Sequence, residues 1–396
     1  MGIESGAFRA DPPSAKCEIR RKLPALFAVT LCLSALSCSS SRQAGAAHSQ
    51  PPAPSTQAAQ PAVINPRPGD ATFANYTFRD GEMLPELRIH YLTLGQPHRD
   101  ARGAVDNAVL LLHWTAASSQ ALVTQEYKDS LFAPGAPYDI TRFFVIIPDA
   151  IGHGNSSRPS EKLAAKFPHY TYSDMVDLQH KLVTETLGIT HLRAVSGMSM
   201  GCMNTWQWTE NYPDMMDAAM PVACFPAPIS GRNLFWRRII VDSIKSDPAW
   251  AGGNYQQQPP SLIPGMLLAR TLVDGVPDLQ DEAPTIDKAD ALVKTTKQQS
   301  ATQDANDYLY TLEASRDYNA EPDLGKIKAK VFALNFADDE YYRDSLQIAE
   351  RDVPKVQNGR LTVRPISAGS TGHSSIAHSA LWKAQAADFI GWLNQA

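Results

Sequence analysis

Cysteine is scarce in this chain: five residues in 396, at positions 17, 32, 38, 202 and 224, with no CxxC pair and no Cys/His cluster at ligand spacing. That scarcity excludes a zinc module and a disulfide-built scaffold, both of which carry dense, regularly spaced thiols. Nucleotide loops are missing too: no GxGxxG follows the first strand-like segment, and neither GxxxxGK[ST] nor HExxH occurs. No cofactor and no metal are therefore expected. Nor does charge of one sign accumulate. The 36 basic and 41 acidic residues leave a net charge of −5, too mild for a nucleic-acid partner, which needs a concentrated basic face. What is present is 43% hydrophobic and 19% charged. At this length that rules out a disordered chain and fits one large α/β domain with an insertion, or two ordinary domains.

The first part of the chain reads as an address. Arg20, Arg21 and Lys22 precede LPALFAVTLCLSALS, roughly 15 apolar residues where a membrane span needs about 20, which is the layout of an export signal. ALSC at 35–38, followed by serines, resembles the lipobox of bacterial lipoproteins. The resemblance implies that residues 1–38 are an export signal and Cys38 the lipidated first residue of a periplasmic or membrane-anchored protein. Cleavage after Ala46, within AGAA, is the competing reading. Residues 39–68 are Ser, Gln, Ala and Pro with almost no large apolar side chains. They cannot bury enough surface to offset their ordering entropy and read as a tether. The folded domain is then 69–396. Its two cysteines, Cys202 and Cys224, sit in apolar context and read as free buried thiols.

Within that domain strand and helix alternate. LRIHYLTLG (87–95) alternates like a strand, with ATFANYTFRDG before it as a partner. Continuously apolar runs follow at 108–114, 143–149, 192–197, 218–224, 330–337 and 361–367, the pattern of strands covered on both faces. Helical patterns lie between them, notably 172–188 and 380–395. This predicts an α/β fold with a mainly parallel sheet flanked by helices. Between Cys224 and Lys330 only helical segments occur, such as 234–247 and 264–275. Residues 225–325 therefore read as a helical lid, inserted before the last two strands and laid over the carboxyl edge where ligands of open α/β sheets bind.

The chemistry gathers on turns. Gly197-Met198-Ser199-Met200-Gly201 joins an apolar strand to a helical pattern. A serine on such a strained turn needs small neighbours, and the turn lifts its hydroxyl above the sheet. Ser199 is the candidate nucleophile. It needs a base, and of ten histidines most fall in the tether or in early strands and helices. His373, in the loop SAGSTG-His after the last strand, is preferred over His378 at the start of the terminal helix. The base in turn needs a carboxylate. Asp338, Asp339 and Glu340 all follow the strand 330–337; Asp339 is preferred and Asp338 is the alternative. The backbone N–H of Met200, with that of Trp114 or Thr115 after the strand 108–114, is expected to face a developing oxyanion.

These motifs resemble the homoserine O-acetyltransferase family of α/β-hydrolases. The resemblance runs from about Tyr91 to Trp392. It is carried by DNAVLLLHWTA, by FFVIIPDAIGHGNSSRPS and by the long block FPHYTYSDM…GMSMGCMNTWQWTENYPD, and also by DPAWAGGNYQQQPPSLIPGMLLAR and STGHSSIAH. It implies an α/β-hydrolase fold, an acyl-enzyme mechanism on Ser199 and a homodimer built through the lid. Asp339 aligns with the family's acid, with Tyr342 and Arg343 where the family has an aromatic residue and a proline. Three further positions depart from the family. Val241 stands where the transferases carry an arginine that holds the substrate carboxylate, and valine cannot make that bidentate contact. Cys202 replaces the glycine after GxSMG, and Ser374 stands where Asp or Gly is common. Acetyl-CoA is cytosolic, and an exported protein would not meet it. The sequence therefore reads as an exported serine hydrolase acting on an ester or related small-molecule acyl compound through a Ser-His-Asp triad, touching membrane only through a lipid anchor. The alternatives are an O-acyltransferase of the homoserine type and a non-catalytic lipoprotein that keeps the fold.

Overall fold

A computed structural model describes residues 64–396 apart from Asp317, Ala396 and the side chain of Asp344. The export signal, Cys38 and nearly all of the tether lie outside the described residues. Eight strands form one sheet in the order β1-β2-β4-β3-β5-β6-β7-β8. They are β1 (Arg67–Thr77), β2 (Met83–Leu94), β3 (Ala108–Leu112), β4 (Phe144–Pro148), β5 (Leu192–Met198), β6 (Met216–Val222), β7 (Lys330–Phe336) and β8 (Gly359–Arg364). The β1/β2 and β2/β4 pairs are antiparallel, and every later pair is parallel. β1 starts inside the stretch read as tether: Arg67 pairs with Thr93 and Pro68 with Leu92. A proline lacks the ladder N–H and is tolerated on an edge strand such as this one, which is why the start of β1 looks like linker in the sequence.

The inner strands β3 to β7 are buried on both faces, as their continuously apolar runs predict, whereas β8, read from 361–367 as another such strand, lies at the sheet edge and none of its residues is fully buried. All five residues of β3 are buried, and the pleat divides them: Ala108, Leu110 and Leu112 enter one core, Val109 and Leu111 the other. The helix read over 172–188 starts as expected. Thr171 Oγ1 accepts from Asp174 N while Thr171 N donates to Asp174 Oδ2 at 2.8 Å, a reciprocal cap. It is α-helical over Tyr172–Lys181 and then widens to a π turn over Leu182–Thr186. The insertion between β6 and β7 is helical among its described residues, with Gly231–Ser246, Leu262–Val273, Val276–Glu282, Ile286–Ser300 and Ala305–Glu313 as its helices.

The two cysteines of the folded domain are not the free thiols that their apolar context predicts. Cys202 and Cys224 are joined in a disulfide, with Cα atoms 5.9 Å apart, within bridging range. They are 22 residues apart in sequence, and only the return of β6 beside the start of the Met200–Asn211 helix brings them together. No local spacing signals such a pair.

Candidate active site

β5 ends at Met198, and Ser199 turns the chain into the helix Met200–Asn211 with φ 54° and ψ −107°. A non-glycine residue there is strained and persists only where its surroundings hold it. They do so closely. A Cβ on Gly197 would lie 2.2 Å from Gly201 O, and one on Gly201 would lie 2.3 Å from Leu112 O. Both glycines are thus required by backbone approach. Ser199 N donates to Val222 O at the end of β6, and Gly201 N donates to His113 O beyond β3. The elbow is pinned between the strands on either side of it.

His373 Nε2 lies 2.8 Å from Ser199 Oγ, and His373 Nδ1 lies 2.6 Å from Asp339 Oδ2. All three residues are buried, Asp339 completely. The other oxygen of Asp339 accepts from Tyr341 N at 2.8 Å and Tyr342 N at 3.2 Å, so the turn after β7 fixes the carboxylate through backbone donors. Asp338 has a different partner: its Oδ2 accepts from Gly372 N at 2.8 Å. It steadies the histidine loop and does not touch the imidazole. Glu340 pairs with Arg232 of the lid. His378 faces Glu126 at 3.4 Å and is half exposed, far in role from the serine. The loop has two further anchors. The Tyr127 hydroxyl donates to Ile376 O at 2.6 Å, and Ser374 Oγ donates to Asp274 Oδ1 of the lid at 2.7 Å.

Trp114, Thr115 and Ser199 line one wall of a cavity of about 570 Å³ beneath the lid. Among the described residues the backbone N–H groups of Met200, Trp114 and Thr115 have no acceptor, which leaves them free for a ligand oxygen. His113 holds the Trp114 turn. Its Nε2 accepts from Ala150 N at 3.0 Å, so its Nδ1 carries the proton and donates to Trp114 O at 2.8 Å. Burial lowers its pKa and keeps it neutral. His153 packs edge-on against it, with ring centroids 5.1 Å apart. Burial, aided by His113, pushes His153 down to about 3. The sequence places His113 in the expected oxyanion turn but gives its imidazole no role, because that role is played through contacts with backbone groups.

The lid supplies the opposite wall through Trp236, Arg237, Tyr308, Tyr341 and Tyr342, the last two from the turn after β7. Trp236 Nε1 and Thr115 Oγ1 are buried without a hydrogen-bond partner. Arg237 donates to Asn233 Oδ1 at 2.8 Å and Ser315 Oγ at 3.1 Å. It has no carboxylate within ion-pair distance among the described residues. Val241, one turn further along the same helix, is buried. Burial raises the Tyr308 hydroxyl to about 12, so this wall presents neutral phenols. Hydroxyl, imidazole and carboxylate in sequence, beside unpaired N–H groups, are the apparatus of acyl transfer through a covalent intermediate.

Comparison with known proteins identifies the family and the fold. Residues 107–264 match a family model described as alpha/beta hydrolase fold. The chain is 30% identical over 281 residues to a homoserine O-succinyltransferase of Aromatoleum aromaticum, covering 67% of this chain and 71% of the relative. Esterase E22 superposes with a TM-score of 0.73 at 20% identity, covering 82% of this chain and all of that one. Homoserine O-acetyltransferase from Bacillus anthracis does so with a TM-score of 0.72 at 22% identity, covering 83% and 98%. These two likenesses concern the fold. The chain is an enzyme of the α/β-hydrolase fold, and it belongs to the homoserine O-acetyltransferase-like family of that superfamily.

Proposed function

We propose that the protein transfers an acyl group through an ester on Ser199 to a hydroxyl acceptor. The observation that carries this reading is the unbroken contact from Ser199 Oγ through His373 to Asp339. His373 takes the hydroxyl proton as Ser199 attacks the acyl carbonyl. The N–H groups of Met200 and of the Trp114–Thr115 turn stabilise the oxyanion, and Asp339 stabilises the imidazolium. His373 then gives the proton to the departing group and activates the acceptor. O-acyl transfer is favoured over hydrolysis by the named activity of the curated relative. Water as acceptor is the second reading. It is supported by Val241, which removes the family's carboxylate-binding arginine from the lid, and by the fold likeness to an esterase.

One experiment separates them. Wild type is acylated with p-nitrophenyl acetate in rising concentrations of homoserine or simple alcohols, and the products are counted as new ester or free acetate. New ester that rises in proportion to acceptor marks a transferase; acetate unaffected by any acceptor marks a hydrolase. Ser199→Ala should lower the acylation rate by on the order of 10⁴-fold or more. Full activity in that variant would overturn the nucleophile.

The reading extends to location: an exported lipoprotein acylated at Cys38. The Cys202–Cys224 bond supports it, because such bonds persist in oxidising compartments. Radiolabelled palmitate incorporated by the wild type and not by Cys38→Ala, with the variant leaving the membrane fraction, is the expected outcome. Equal labelling would exclude Cys38.

A further inference from the structure

The disulfide lies at the nucleophile, at a position where the resembled family carries a glycine. Cys202 is three residues past Ser199, in the first turn of the Met200–Asn211 helix, and Cys224 is two residues past Val222. Ser199 N donates to Val222 O at 2.9 Å. The hydrogen bond and the disulfide therefore span the same gap side by side, the first at the strained residue and the second one turn along. The remaining restraints on the elbow are noncovalent: Gly201 N to His113 O at 3.1 Å, Met203 N to Ser199 O at 3.1 Å, and close backbone packing at Gly197 and Gly201. Ala223, between the hydrogen-bonded and bonded residues, itself has φ 61° and donates to Leu334 O at 2.8 Å. Both sulfurs belong to buried residues in the core beneath the elbow.

We propose that the Cys202–Cys224 bond is a covalent brace for the nucleophile elbow, holding Ser199 in its strained conformation against the end of β6, and that Cys202 and Cys224 are positioning residues for acylation. Without the bond, the first helical turn is joined to β6 by hydrogen bonding and packing alone. Ser199 can then relax toward ordinary backbone angles, which carries Oγ away from His373 Nε2 and from the Met200 N–H together. A displacement of about 1 Å in a reacting atom costs up to about a hundredfold in rate. The inference rests on Ser199 as the nucleophile.

The test uses the full chain. Peptide mapping without reductant should recover residues 202 and 224 in one linked peptide. The second-order rate of fluorophosphonate labelling at Ser199 is then compared between wild type, the double variant Cys202→Ala/Cys224→Ala, and wild type unfolded and refolded with reductant. All are measured well below their melting temperatures, with folding checked by near-ultraviolet circular dichroism. The brace predicts labelling and kcat lowered by about tenfold or more in both unbridged forms, with KM little changed. A bond that merely staples the core would lower the melting temperature while leaving labelling at the wild-type rate, and that result overturns the proposal, as do free thiols in the mapping. If the double variant does not fold, the reduced wild type decides. Failure of the wild type itself to label at Ser199 would instead remove the nucleophile assignment.

Discussion

Two adjacent aspartates show how far single residues can be read. The motif DDEYY offers carboxylates in a row, and spacing alone does not divide their work. The turn after β7 does: Asp339 is aimed at His373 Nδ1 and held from behind by Tyr341 N and Tyr342 N, whereas Asp338 takes Gly372 N. Asp339→Asn should therefore lower kcat by about 10³- to 10⁴-fold through the wrong imidazole tautomer. Asp338→Asn should cost tenfold or less and act mainly by loosening the histidine loop. Steady-state kinetics at one saturating ester concentration, with melting temperatures alongside, distinguishes the two; reversed effects would exchange their roles. Ser199 and His373 were legible because each sits at a topologically fixed turn, one after a buried strand and one before the terminal helix. His113 was not, because a neutral imidazole bridging Ala150 N and Trp114 O leaves no mark in a linear motif.

Elements were easier to read than their seams. The lid helices Gly231–Ser246 and Leu262–Val273 follow from apolar periodicity, but periodicity carries no information on where a lid touches the sheet. The contact lies beside the base. Gly372, with φ 65°, comes so close to the lid that a Cβ there would lie 2.5 Å from Gly275 N. Next to it, Ser374 Oγ bonds Asp274. Gly372→Ala should push lid and histidine loop apart, lowering kcat by about tenfold or more and destabilising the fold by about 1–3 kcal/mol. Gly325→Ala, where nothing stands within 4 Å of the new methyl, should change neither. Thermal denaturation and kcat measured on both variants check this; an unaltered Gly372→Ala would mean that the seam gives way freely. The sequence carries part of this signal, since Ser374 departs from the resembled family, but its partner stands 100 positions away.

Across the whole molecule the sheet was the most legible feature, because strands buried on both faces must be continuously apolar, as β3 is. Its outer edge was less so: Pro68 disguised the start of β1. The disulfide was illegible for the opposite reason, since only the assembled sheet juxtaposes its halves. Global stability carries a further consequence of burial. Glu210, near the end of the Met200–Asn211 helix, has a buried Oε1 with no hydrogen-bond partner, and desolvation, with Asp323 adding, raises its pKa to about 8. The folded state thus holds that proton more tightly than the unfolded chain. The associated stability is fully present below about pH 4.5 and is lost as pH rises through 8. Glu210→Gln should match the wild type near pH 4.5 and exceed it by on the order of 1–3 kcal/mol at pH 9. Urea unfolding at the two pH values measures the gap; parallel curves would place the carboxyl in water.

The contact between Gly275 and Gly372 also limits how such enzymes can be recombined. A chimaera that takes its roof from a relative must place its downstream crossover ahead of Asp274, so that the Asp274–Ser374 hydrogen bond and the paired glycines come from one parent. A crossover between Gly275 and Gly372 would join two halves that had never been fitted to each other, and the imidazole would be the first group to drift.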